Sequence, residues 1–165
     1  MALVAGVDVP AITVSDMTRA RGFYCDLLGL RPVEVKGVGS AWSDPEQTRW
    51  NTYHEACVGL PGAKIQALLL EAENGSHIEL IEYHKPDVPA PPRRSPAEPG
   101  SAVISFAVEN SESVVAQLRD AGTHVMGGPV PYVLDGVSTY TTYLYDPDGN
   151  ILCLFEVVSG EDNGL

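Results

Sequence analysis

The sequence predicts an α+β fold in which two similar modules follow one another, a single domain over residues 1–165 with a cleft between its halves. Three observations predict it. The stretch Asn74-Gly75-Ser76-His77-Ile78-Glu79-Leu80-Ile81-Glu82 returns near the C-terminus as Asp148-Gly149-Asn150-Ile151-Leu152-Cys153-Leu154-Phe155-Glu156. In each copy a turn glycine leads into an alternating strand; counted from that glycine, Glu79 falls where Cys153 falls, and Glu82 where Glu156 falls. The front halves match as well. Ile12-Thr13-Val14-Ser15-Asp16 runs into a helical pattern ending at Leu28-Gly29, and Phe106-Ala107-Val108-Glu109-Asn110 into one ending at Ala121-Gly122. Internal repetition carries more weight for a fold than local propensity.

Composition sets the outer limits. A chain of 165 residues with 44% hydrophobic and 19% charged residues can bury a core without disulfides or metals to staple it. A net charge of -12 argues against nucleic acid and against an anionic membrane surface, both of which need basic patches. It suits a cationic ligand or plain solubility. Residues Met1 to Pro10 lack a basic segment followed by an apolar run, and no stretch approaches a membrane span, so the expected address is the cytoplasm. Three widely spaced cysteines, Cys25, Cys57 and Cys153, read as free thiols of a reducing compartment.

The first module is expected over residues 7–84. Val9 to Val14 suits a strand, with Pro10 pointing to an edge or a strand start. Ser15 or Asp16 caps a helix whose apolar face is Met17, Ala20, Phe23-Tyr24 and Leu27-Leu28, and Gly29 closes it. Arg31 to Lys36 reads as a short second strand. An inserted segment, 39–62, follows, in which Asp44-Pro45-Glu46 resembles a capped helix start. Trp50, Tyr53, His54 and Cys57 would share one face of that helix. They either pin the insertion to the core or form an aromatic lid over a ligand. Ile65 to Glu71 and His77 to Tyr83 are then strands joined by a hairpin turn at Glu73-Asn74-Gly75.

Residues 85–100 hold Pro86, Pro89, Pro91, Pro92, Pro96 and Pro99, a run that cannot enter a ladder and reads as an extended connector. Arg93-Arg94 reads there as a solvated pair. The second module, 101–158, opens with a strand at Ala102 to Val108 and a cap at Asn110 or Ser111. Its helix buries Val114-Val115, Leu118 and Ala121. Val125 to Val133, interrupted by Gly127-Gly128-Pro129 and Pro131, is an irregular strand or a bulged edge. Val137 to Tyr145 and Asn150 to Val158 form a last hairpin around Asp146-Pro147-Asp148-Gly149.

These strings together, with Phe23-Tyr24-Cys25-Asp26-Leu27-Leu28-Gly29-Leu30 and the Asp146-Pro147-Asp148-Gly149 turn, resemble the vicinal oxygen chelate superfamily, over about Val9 to Val158. That superfamily includes glyoxalase I, methylmalonyl-CoA epimerase, fosfomycin-resistance transferases, extradiol dioxygenases and bleomycin-resistance binding proteins. The resemblance implies two tandem βαβββ modules forming a curled mixed sheet around a cavity, and commonly a homodimer. It also implies a divalent metal held from four equivalent strands, at positions that here carry Val9, Glu79, Val103 and Cys153.

Valine has no donor atom, so two of the four positions cannot ligate a metal, and Cys153 stands where a carboxylate is expected. The chain is therefore expected to work without metal or other cofactor. His77 and Glu79 lie two apart on a strand and share a face, which the resemblance turns toward the cavity. Glu79 in an apolar cavity is a candidate proton-transfer group, with His77 as its helper, or else a relic bonded to a neighbour such as a tyrosine. His77 is otherwise a hydrogen-bonded strand-end histidine. Cys153 reads as a small buried residue. Val9, Val103, Cys153 and Tyr143, with Trp50, Tyr53 and His54, are the expected ligand-binding surface; His84 and His124 read as surface residues.

Three functions stay open. The first is a metal-independent enzyme performing lyase, isomerase or cyclase chemistry on an apolar or aromatic small molecule, with Glu79 and His77 moving protons. The second is a binding protein that sequesters a drug-like ligand on Trp50 and the tyrosines. The third is a metal-dependent glyoxalase- or epimerase-like enzyme, which Glu79, His77 and Cys153 around zinc would serve.

Overall fold

The computed structural model describes residues 3, 6–33, 55–89 and 92–158. The chain divides into two compact units, Met1–Pro91 and Pro92–Leu165. Each carries one four-stranded sheet with one helical segment packed on it.

In the first unit the order is β1-β4-β3-β2, for β1 (Ala11–Val14), β2 (Arg31–Pro32), β3 (Lys64–Glu71) and β4 (His77–Lys85). β1 runs parallel to β4, and the other pairs are antiparallel. The ladder starts later than Val9: the Pro10 carbonyl accepts the Glu79 amide at 3.0 Å, and regular pairing begins at Ala11. Asp16 caps the helix, its Oδ1 accepting the Arg19 amide at 2.9 Å.

That helix is not one α-helix. α1 (Met17–Arg21) passes into a π-helical turn over Gly22–Leu27. More residues per turn bring sequence neighbours closer in angle, so Phe23 and Tyr24 are both buried, ring edge to ring face at 5.0 Å between centroids. Gly29 takes φ +78, and the Leu30 amide donates back to the Tyr24 carbonyl at 3.0 Å. Leu68, Leu70, Ile78 and Leu80 form the buried face of β3 and β4.

Residues 34–54 lie outside the described residues, and with them most of the expected insertion, including Trp50, Tyr53 and His54. Residues 55–58 are helical, and Cys57 is exposed.

In the second unit the order is β5-β8-β7-β6, for β5 (Val103–Ala107), β6 (Val130–Leu134), β7 (Val137–Tyr145) and β8 (Ile151–Val158). Again the first strand runs parallel to the last. Pro131 lies in β6 at the sheet edge, where a missing ladder donor costs least. α2 (Ser111–Asp120) buries Val115 and Leu118 against Leu144, Leu152 and Leu154 of β7 and β8. Ala121, expected on the buried face, is exposed because the helix has already ended at Asp120.

The connector is more than an extended run. Its residues 96–100 form turns, the Arg94 guanidinium donates to the Gly100 carbonyl at 3.2 Å, and the Ser101 hydroxyl to the Ser95 carbonyl at 2.9 Å. Arg93 and Arg94 are exposed yet fastened. The Arg93 guanidinium lies 5.4 Å from the Tyr145 ring centroid, and the Tyr145 hydroxyl donates to the Arg94 carbonyl at 2.7 Å. The pair anchors the chain to the end of β7.

Candidate functional site

A strand alternates its side chains between two faces, so the face packed on the helix determines the other by elimination. In β4 the helix side is Ile78, Leu80 and Glu82; the last of these accepts the Met17 amide of α1 on Oε2 at 2.8 Å. His77, Glu79, Ile81 and Tyr83 therefore occupy the opposite face. Their partners in β3 are Glu71, Leu69, Ala67 and Ile65. On the other side Ala11 of β1 is in register with Glu79 and Thr13 with Ile81.

Glu79 is thus flanked by Leu69 and Ala11 and followed along its own face by Ile81. It is half-buried.

His77 shares this face and has a carboxylate directly across the hairpin. Its Nε2 lies 3.7 Å from Oε1 of Glu71, directly opposite in the hairpin. The other oxygen of Glu71, Oε2, accepts from the Arg31 guanidinium of β2 at 3.0 Å. Arg31, Glu71 and His77 form one row across three adjacent strands. Counting back from the Asn74-Gly75 turn would have placed Glu71 opposite His77, and that count is the signal in the sequence that marks this carboxylate.

In the second unit the face away from α2 holds Ile151, Cys153, Phe155 and Val157 of β8. Facing them are Tyr145, Tyr143, Thr141 and Thr139 of β7, and Val103, Ser105 and Ala107 of β5. Cys153 is buried directly opposite Tyr143 and Ser105, and its thiol donates to the Leu154 carbonyl at 3.6 Å. Tyr143 is 38% exposed and Tyr132, on the same face of β6, 64%. Val103 stands exposed opposite Ile151, and Val9 half-buried just ahead of β1.

The residue types at the four positions where the resemblance implies metal ligands, two in each unit, are a poor set for a metal. Val9 and Val103 carry no donor atoms, leaving one carboxylate, Glu79, and one thiol, Cys153, which already donates to a main-chain carbonyl. His77, the remaining candidate ligand, faces Glu71. No grouping of three or more His, Cys, Asp or Glu side chains suited to a metal occurs among the described residues.

Cys25, free and half-buried, is no better as a nucleophile. Burial pushes its thiol above the ordinary range, Arg21 pulls it part of the way back, and Asp26 raises it again. Among the described residues no helix is long and apolar enough to cross a membrane.

Comparison with known proteins agrees with this fold. A relative described as virulence protein STM3117 of Salmonella typhimurium is 25% identical over 157 residues, 94% of this chain and 87% of that one. A glyoxalase family protein of Bacillus cereus matches in structure with a TM-score of 0.75 and 21% identity, covering 96% of this chain and 97% of the other. TnmS3, an antibiotic binding protein of Streptomyces sp. CB03234, matches with a TM-score of 0.58 and 17% identity, covering 96% and 100%. The family model for the glyoxalase/bleomycin resistance protein/dioxygenase superfamily matches residues 6–154, and the chain, with its two four-stranded sheets of the same plan, belongs to that superfamily.

Proposed function

We propose that this protein binds an apolar or aromatic small molecule and moves a proton on it without a metal, with Glu79 as the acid or base and His77 as its helper. The observation that carries the reading is the placement of Glu79 on the sheet face away from α1, between Leu69 and Ala11 and beside Ile81. Glu79 takes a proton from an activated carbon or oxygen of the ligand and returns it at another position, the pattern of a lyase, isomerase or cyclase.

A second reading is sequestration of a drug-like molecule without chemistry. It is supported by the exposed Tyr132 and Tyr143 on one face of the second sheet, which offer flat stacking surfaces, and by the likeness to an antibiotic binding protein. A homodimer in the cytoplasm belongs to either reading. The exposed Val103, Tyr143 and Val157 on that face support the dimer, and light scattering on the eluted protein measures it.

The test begins with elemental analysis and native mass spectrometry of the purified chain, followed by a screen of aromatic small molecules for binding and turnover. The expected results are less than stoichiometric divalent metal and, in Glu79→Gln, retained binding with turnover reduced roughly 10²–10⁴-fold. Binding without turnover in the wild-type protein selects sequestration. Stoichiometric metal overturns both readings.

A further inference from the structure

We infer that Arg93 recognises the negative end of an aromatic ligand, so that the molecules this protein prefers are aromatic acids, flat ring systems that carry a carboxylate or a phosphate. This rests on the reading of the open face of the second sheet as a stacking surface, and names the ligand class that such a surface selects. Glu79 and His77 have no part in it.

On the face away from α2 none of the four strands carries a charged side chain. A flat ring meets carbon and hydroxyls there; a charge meets no partner before the end of β7. At that end Tyr145 stands in one row with Ile151 and Val103, beside the row of Tyr143, Cys153 and Ser105. Two strand residues separate the tyrosines by about 7 Å, a span that a bicyclic ring with one substituent covers. Arg93 lies over the outer one, its guanidinium carbon 5.4 Å from the Tyr145 ring centroid. Its stem runs along Gly149, where an added Cβ would come within 2.9 Å of the arginine Cγ and 3.6 Å of its Cα. The Tyr145 hydroxyl donates to the carbonyl of the next residue, Arg94, at 2.7 Å, and fastens the same stretch from the other side of the peptide.

The two neighbouring arginines differ in what they do with their charge. Arg94 donates to the Gly100 carbonyl at 3.2 Å. Arg93 makes no hydrogen bond and no ion pair among the described residues, although the chain has 22 acidic side chains to its 10 basic ones. Carboxylates are plentiful, and none is placed on this guanidinium. Contact with a ring face uses the cation and leaves its N–H donors, two of which at a time match a carboxylate or a phosphate. The field of a chain with net charge -12 opposes any anion, so an acid gains on this face only through a local cation. Besides Arg93, the basic groups at this end are Arg94 and the exposed His124, whose ring lies 5.5 Å from that of Tyr145.

The test is titration calorimetry at about pH 8, where an ordinary histidine is neutral, with naphthoate, naphthyl phosphate and the uncharged naphthamide as probes. In the wild-type protein at least one of the two acids is expected to bind about three- to tenfold more tightly than the amide, by a margin that shrinks as salt is added. Which acid gains more tells a carboxylate ligand from a phosphate one. Arg93→Gln brings the acids down to the amide and leaves the amide where it was; Arg93→Lys, with the charge but without the fork, keeps part of the margin. Arg94→Gln removes the same charge one residue away and leaves the margin intact. Acids no better than the amide in the wild type, a margin that survives Arg93→Gln, or one lost equally in Arg94→Gln, overturns the inference. Circular dichroism confirms folding, and Arg93→Met, which keeps an apolar stem beside Gly149, replaces Arg93→Gln if that variant unfolds. Failure of the stacking reading looks different: none of the three probes binds, and the recognition of acids falls with it. The proton-transfer reading is tested apart, since Glu79→Gln leaves the margin unchanged.

Discussion

The Oε2 of Glu156 accepts the backbone amide of Ser111 at 2.8 Å, joining the last strand to the first turn of α2 across 45 positions of sequence. Glu82 repeats the arrangement in the other unit, accepting the Met17 amide of α1 at 2.8 Å. In each repeat a strand glutamate satisfies a helix amide that has no partner within its own helix.

Glu82→Ala is expected to destabilise the first unit by about 1–2 kcal/mol, since Asp16 caps Arg19 and cannot also serve Met17. Urea unfolding followed by circular dichroism measures it. A midpoint unchanged within error means that the bond is replaced by water at no cost.

Glu156 adds a pH dependence. Ser111 holds its carboxyl below the ordinary glutamate range; burial opposes this, and the Asn110 amide adds a lesser lowering. A carboxyl group lowered on folding stabilises the fold above its unfolded value, and that stabilisation is lost as pH falls through the folded value. Wild-type stability should therefore decline from about pH 4.3 downward more steeply than that of Glu156→Gln. Denaturation midpoints collected across that range check the slope.

Two glycines should differ in their response to a methyl group. At Gly128, φ +89, a Cβ would lie 2.8 Å from the main-chain carbonyl oxygen of Thr141 and 2.9 Å from Oγ1 of the buried Thr142. Gly128→Ala is expected to cost more than about 2 kcal/mol, strain and clash together. At Gly149, φ +87, the nearest atom at 2.9 Å is Cγ of Arg93, an exposed side chain whose shift would loosen its seat on Tyr145 but leave the ladder alone. Gly149→Ala should cost less, about 1–2 kcal/mol, mostly from the backbone conformation. Thermal unfolding of the two variants side by side reads the order.

On β8, Leu154 is fully buried and Val157 is 55% exposed. Leu154→Ala should cost about 2–5 kcal/mol and Val157→Ala less than about 0.5 kcal/mol. Equal effects in denaturant would mean that Val157 is covered in solution.

The repeat made the two-sheet plan legible, because a turn glycine with an alternating strand behind it has few other meanings. β7 was readable to the residue from Val137 to Tyr145, bounded by turn signals at both ends. The π-helical turn was not. Phe23-Tyr24 fits a helix of either winding on paper, and only the packing of both rings selects between them. Glu79 and His77 stood out by residue type. Glu71 and Arg31 did not, since a glutamate at a strand end and an arginine after a helix look like solvated charge until the ladder places them in one row. Arg93 was equally opaque, its role depending on a ring 52 positions further along.

The hairpin between β3 and β4 is closed by the Ser76 amide and hydroxyl, both donating to the Asn74 side chain, and by Gly75 at φ +80. Such a closure has a fixed length. Deleting one residue from it would exchange the two sides of β4, sending Glu79 to the side packed on α1 and Ile78 to the opposite one. Along this strand, therefore, single replacements leave the pairing intact, whereas an insertion or deletion would undo the packing of every side chain at once.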